Sequence, residues 1–128
     1  MQNGQEIHGV FTSSDATTAV AIPMYVSGGA TTGGQAALTL ASNQFVVITD
    51  IVVVVAGAST VHVFLNDDAD GTADTGETVI RGTLAANGGV AKSFIVTPRT
   101  GAAGALPYVI AGSAVQIDIT FTGRIIEA

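Results

Sequence analysis

From Ile22 onward the chain alternates short apolar runs with Gly-rich breaks. Over residues 114–126, "AVQIDITFTGRII", Val115, Ile117, Ile119, Phe121 and Ile125 fall on one side of a two-residue period. Gln116, Asp118, Thr120, Thr122 and Arg124 fall on the other. This pattern predicts a strand with one core face and one wet face. The run 44–56, "QFVVITDIVVVVA", is different, because over 45–55 both faces are apolar apart from Thr49 and Asp50. That predicts a central strand covered on both sides, by the rest of the fold or by a neighbouring subunit. Further strands are expected near 22–26, 36–41, 59–65, 77–85, 90–97 and 107–111. The breaks between them are "SGGATTGGQ", "AGA", an acidic window, "ANGG" and "TPRTGAAGAL". Asn87-Gly88 is a strong short signal for a β-hairpin. No window carries a helical stripe, and Val, Thr and Ile abound where Glu, Lys, Leu and Met are scarce. The expected class is all-β: one β-sandwich, jelly-roll-like or small-barrel domain of about eight strands.

Residues 1–21 show no periodicity and are rich in Gly, Gln, Ser and Thr. They are expected to form an extended N-terminal arm, with the β-domain over 22–128. The N-terminus shows neither a basic n-region nor an apolar stretch, so no export signal is expected. The most apolar run, "FVVITDIVVVVAGA", is too short for a membrane span of about 20 residues and is interrupted by Asp50. Mean hydropathy of +0.54, with 48% hydrophobic residues, is high for a 128-residue domain with an unfavourable surface-to-volume ratio. A second burial surface is therefore expected, most simply a homo-oligomer interface or a site on a larger assembly. Arg81, Lys92, Arg99 and Arg124 are the only basic side chains besides two histidines, and the net charge is −6. Partnership with nucleic acid or an anionic membrane through a basic face is not expected. The absence of Cys excludes disulfides and thiolate metal sites.

Five of the ten acidic residues lie between Asp67 and Glu77. Laid on the calcium-loop pattern D-x-[DN]-x-[DN]-G-x5-E, Asn66 takes position 1, Asp68 position 3, Asp70 position 5 and Gly71 position 6. Thr72 offers a backbone carbonyl at 7, Asp74 a direct or water-mediated contact at 9, and Glu77 a bidentate carboxylate at 12. A hard cation needs six to eight oxygens, and carboxylates gathered without one repel each other. Asn at position 1 removes a charge, and Ala73 stands where a branched apolar residue is usual. Flanking strands replace the helices of an EF-hand. The segment resembles the D-x-[DN]-x-D-G-x-x-D-x-G-E loops between strands of secreted bacterial β-sandwich and adhesin-type modules. The plainer reading is an exposed turn whose Asp, Asn and Gly serve turn chemistry and solubility.

Candidate catalytic groups are sparse. His8 falls in the expected arm. His62 shares a strand face with Thr60 and Phe64, opposite Val61, Val63 and Leu65, where packing or exposure is the ordinary fate of a lone His. No Ser lies in a G-x-S-x-G setting. The acidic window lacks the aromatic platforms of a glycosidase, since the chain has no Trp and only two Tyr. "SGGATTGGQ" lacks the Lys of a phosphate-binding loop. No enzyme is expected.

The run "VVITDIVVVVAGASTVHVFLNDDADGTADTGETVIRGTLAANGG", with "TPRTGAAGALPYVIAGSAVQIDITFTGRI", is similar in texture and strand order to small β-rich structural proteins of tailed bacteriophages. Head decoration (cement) proteins are the nearest type. The likeness spans about residues 23–126. It implies a small oligomer, a trimer above all, on the outer capsid surface, made in the host cytoplasm and stapling neighbouring subunits of the major capsid protein. By the same resemblance residues 1–21 would dock on the lattice and strand 45–55 would lie at a subunit interface. The competing class is a carbohydrate-binding or adhesion β-sandwich with calcium in the acidic loop.

Overall fold

A computed structural model describes residues 4–27, 37–65, 78–95, 97–100 and 104–127. Its strands are β1 (Glu6–Ser13), β2 (Val20–Ala21), β3 (Met24–Val26), β4 (Gln44–Val55), β5 (Ser59–Leu65), β6 (Thr78–Leu84), β7 (Gly89–Ser93), β8 (Pro107–Ala111) and β9 (Ile117–Glu127). They form two antiparallel sheets, ordered β3-β1-β9-β4-β7 and β2-β8-β5-β6. The sheets pack face to face as a β-sandwich. Among the described residues there is no helix, and so none that is long and apolar enough to cross a membrane.

The two-residue period fixes the core. In β9 every odd position from Ile117 to Ile125 is buried and every even one from Asp118 to Arg124 is exposed, as the alternation predicts. These side chains meet Ile7, Phe11, Ile51 and Val53 of their own sheet and Val61, Val63, Val109 and Ala111 of the facing one in a single apolar cluster. Removing such surface from water is the main favourable term for a fold of this size.

The expectation of an N-terminal arm over 1–21 gives way, for residues 4–21, to a built-in part of the sandwich. β1 lies between β3 and β9 and pairs with β9 from Glu6↔Arg124 to Ser13↔Ile117. Ile7, Phe11 and Ala16 are buried. Gly9 hides this strand in the sequence. A Cβ at Gly9 would lie 1.9 Å from Cε2 of Phe121, directly across the pair, so the aromatic ring occupies the space of the missing side chain.

Three local expectations change for similar reasons. The strand near 36–41 does not form over its described residues 37–41. Leu38 instead donates one backbone bond to Met24 O (2.7 Å), and Leu38 and Leu40 rest partly buried on the core. The strand expected over 90–97 ends at Ser93. Beyond it, Phe94 N donates to Thr49 O, Pro98 O accepts from Ile48 N, and Thr100 N donates to Val46 O, so the chain continues irregularly along β4. Pro98 has no N–H to complete a ladder there. Asn87-Gly88 does make a turn, with Asn87 at φ 59° and Gly88 N donating to Ala85 O, but not a hairpin. β6 and β7 belong to different sheets, and the turn carries the chain across the open side of the sandwich.

β4 also departs from its expectation. Ile48 pairs with Gly123 and Asp50 with Thr122, leaving Thr49 as the extra residue of a β-bulge. A Cβ on Gly123 would lie 2.1 Å from Val47 O, so only glycine admits this close approach. Before the bulge, Val46, Val47 and Ile48 are all buried, as two apolar faces predict. After it the strand alternates, with Ile51, Val53 and Val55 inward and Val52 and Val54 outward at 44% and 43% exposure. The second half of β4 is therefore covered on one side only in the single chain.

Candidate functional site

The calcium-loop candidates Asn66, Asp68, Asp70, Thr72, Asp74 and Glu77 lie outside the described residues. β5 and β6 are antiparallel neighbours, and Phe64 pairs with Thr78, so described residues on either side of that segment are cross-strand neighbours. Among the described residues no three His, Asp or Glu side chains gather as a metal-binding group.

The two histidines lie on opposite outer faces of the sandwich and cannot act together. His8 pairs with both Tyr25 and Thr122 on the five-stranded sheet. Its ring stacks on Tyr25 (centroids 5.6 Å apart), Nδ1 is 3.5 Å from Ser27 Oγ, and Nε2 is shielded from solvent without a hydrogen-bond partner. That environment suits a packed ring better than a proton shuttle. His62 lies on the four-stranded sheet, as the strand parity predicts, with Nε2 2.8 Å from Thr78 Oγ1 and its ring 5.4 Å from that of Phe64.

The outer face of the five-stranded sheet carries an ordered polar row. Asp50 Oδ1 accepts from Ser93 Oγ (2.5 Å) and Oδ2 from Thr122 Oγ1 (3.1 Å). Thr49 Oγ1, on the bulge, donates to Thr122 O at 3.0 Å. The Ser93 hydroxyl foremost, then that of Thr122, holds the Asp50 carboxyl below the usual carboxylate range by bonding its charged form. The interruption "TD" in an apolar run was the only sequence trace of this network. Beside it lies a row of a different kind: Val10 pairs with Thr120, Thr120 with Val52, and Val52 with Ala91. Val10, Val52 and Val54 are exposed there.

The outer face of the four-stranded sheet is contoured. Phe64 is fully buried on it and stacks with Tyr108 at 5.7 Å. Next to this pair a shallow cleft is lined by Thr60, His62, Arg81, Thr83, Ile110 and Gly112. Arg81 is directly opposite His62 in the β5–β6 register. The sequence singled out His62 but not Arg81, because their proximity depends on a pairing across the acidic segment. No known protein family matches the chain, and no curated protein matches it.

Proposed function

We propose that the protein is a non-enzymatic structural protein of a virion: a decoration protein that forms a small oligomer, a trimer, on the outer capsid lattice of a tailed bacteriophage and braces neighbouring major-capsid subunits. The observation carrying this reading is the valine row on the outer face of the five-stranded sheet. Val10, Val52 and Val54 remain exposed in the single chain, next to small side chains that leave the face open to close approach. Together with a mean hydropathy of +0.54, they supply the second burial surface that an assembling protein requires. Residues 6–13 are committed to the sheet, so in this reading the sheet face makes the contacts that a free arm would otherwise make. Light scattering tests the first step. A mass that is a small multiple of 12.8 kDa at micromolar concentration is expected, and a strict monomer sinks the self-assembly part of the reading. Stoichiometric addition to undecorated capsids, with a gain in their heat resistance, tests the second. Failure to bind any such particle removes the virion role.

A second reading is a carbohydrate-binding or adhesion β-sandwich stiffened by calcium. Its support is the spacing of Asn66, Asp68, Asp70, Thr72, Asp74 and Glu77 in the sequence between the paired strands β5 and β6. On this reading calcium raises the thermal midpoint and a chelator lowers it. Identical midpoints with and without chelator end it, and a glycan array asks separately for a sugar.

A further inference from the structure

We propose that the open side of the sandwich, between the edge strands β6 and β7, is a binding cleft for an amphipathic anion with an unbranched alkyl tail and a carboxylate head. The cleft measures about 450 Å³, within the range of roughly 300–1,000 Å³ usual for small-molecule sites. Its lining is mostly apolar, with Val61, Leu84 and Val90 within, and Lys92 supplies a cation at the rim. Gly82 opens it. In register Gly82 is opposite Val61, which faces the core, yet a Cβ on Gly82 would meet nothing within 4 Å. The β-strand position that would normally plug this gap with a side chain leaves it empty.

Charge selects the head group. In a chain with net charge −6 and only four Lys and Arg residues, Lys92 is at this rim. Lys92 is opposite Ile51 in register, hence on the inward side of β7, and its Nζ is held 5.0 Å from the centre of the Phe94 ring. An inward lysine on an edge strand also discourages strand addition, but that task does not need the glycine gap. The proposal is independent of the assembly reading, since the valine face is on the other side of the five-stranded sheet.

Titration of the whole protein with octanoate and decanoate, below their micelle concentrations, tests the proposal by calorimetry and methyl NMR. Saturable one-to-one binding is expected, tightening roughly fourfold per added methylene, with the largest shifts at the methyls of Val61, Leu84 and Val90. Gly82→Val should fold normally, because the added side chain enters open space at an ordinary strand φ, and should abolish binding. Lys92→Gln should weaken decanoate by about tenfold, while decanol and decyltrimethylammonium bind the wild type far less. Unsaturable binding, shifts at other methyls, unchanged affinity in Gly82→Val, or equal affinity for decanol and decanoate each overturn the proposal.

Discussion

The two outer faces of the sandwich are built from the same alternation and differ in what fills it. On the five-stranded sheet the outward positions of β4 and β7 and their neighbours on β9 hold short side chains, Asp50, Val52, Val54, Ser93, Thr120 and Thr122, while the stacked His8 and Tyr25 lie towards the β1–β3 edge. On the four-stranded sheet they hold Thr60, His62, Phe64, Arg81, Thr83 and Tyr108. The β4–β7 part of the first face is level, with hydroxyls tied to Asp50 beside unpartnered valines. The second has relief, with an aromatic cluster and a cleft. Outward position alone therefore does not decide burial: Phe64 is 0% exposed and Val52 is 44% exposed, although both point away from the shared core. A level face of small groups suits another extended surface, whereas a contoured face suits a small ligand or a single side chain.

The sharpest way to break this comparison is to truncate one residue on each face. Phe64→Ala should destabilise the protein by about 3–5 kcal/mol, the range for emptying a buried aromatic site. Val52→Ala should stay within about 0.5 kcal/mol in the monomer, as exposed positions do. Urea unfolding of both variants reads the difference directly. Equal costs would mean that the contrast in burial has no energetic content.

Next in size is the bulge that sets the orientation of the five-stranded face. Gly123→Ala forces a Cβ towards Val47 O and should cost about 1–3 kcal/mol, typical of overpacking. Because Thr49 is the extra residue, losing the bulge would invert the alternation of β4 from Asp50 onward, or else break the pairing with β9. Loss of stability with an unchanged β-sheet spectrum is the expected result. A neutral substitution would show that the backbone yields there at no cost.

How much of this was legible in the sequence follows the same physics. Strands whose two-residue period is unbroken, β9 and β5 above all, could be read with their facing. β1 could not, because Gly9 stands at a core position and only Phe121, over a hundred residues away, supplies the missing apolar group. The bulge at Thr49 converts what reads as a doubly apolar strand into one that alternates, and no local signal announces it except the polar pair Thr49-Asp50. Asn87-Gly88 specified a turn but not its partners, since left-handed φ fixes local geometry and leaves open which sheet each flanking strand joins. For the sites, the spacing of acids over 66–77 was visible at once. The conjunction of Gly82 and Lys92 was not, because it needs β6 and β7 on the same open side of two different sheets.

Replacing both valines should have a smaller effect on stability and a decisive one on association. Val52→Asp with Val54→Asp puts two carboxylates on the level face, next to Asp50 and Asp118 of the neighbouring rows. Unfolding free energy of the monomer should change by no more than about 1 kcal/mol. The mass by light scattering should fall to that of one chain. Retained oligomers would move the interface elsewhere, most directly to the contoured face.

The smallest effect tests whether the hydroxyl row is an electrostatic device or only filler. Asp50 has its carboxyl lowered below the usual value of 3.8 by hydrogen bonds from Ser93, then Thr122, then Thr49, with desolvation opposing them. A carboxylate depressed in the folded state stabilises the fold above its unfolded value, and that contribution disappears as pH falls through the folded one. Stability should therefore be level with pH above about 4 as far as this group is concerned, and should decline at lower pH. Asp50→Asn keeps the shape and loses the charge, so it should flatten part of that acid decline while leaving the neutral-pH midpoint within a few degrees of wild type. Ser93→Ala should do the same more weakly, because it removes one hydroxyl donor and leaves that of Thr122. Identical acid limbs in wild type and Asp50→Asn would mean that the row is solvated too well for its charge to matter, and the level face would then differ from the contoured one in shape alone.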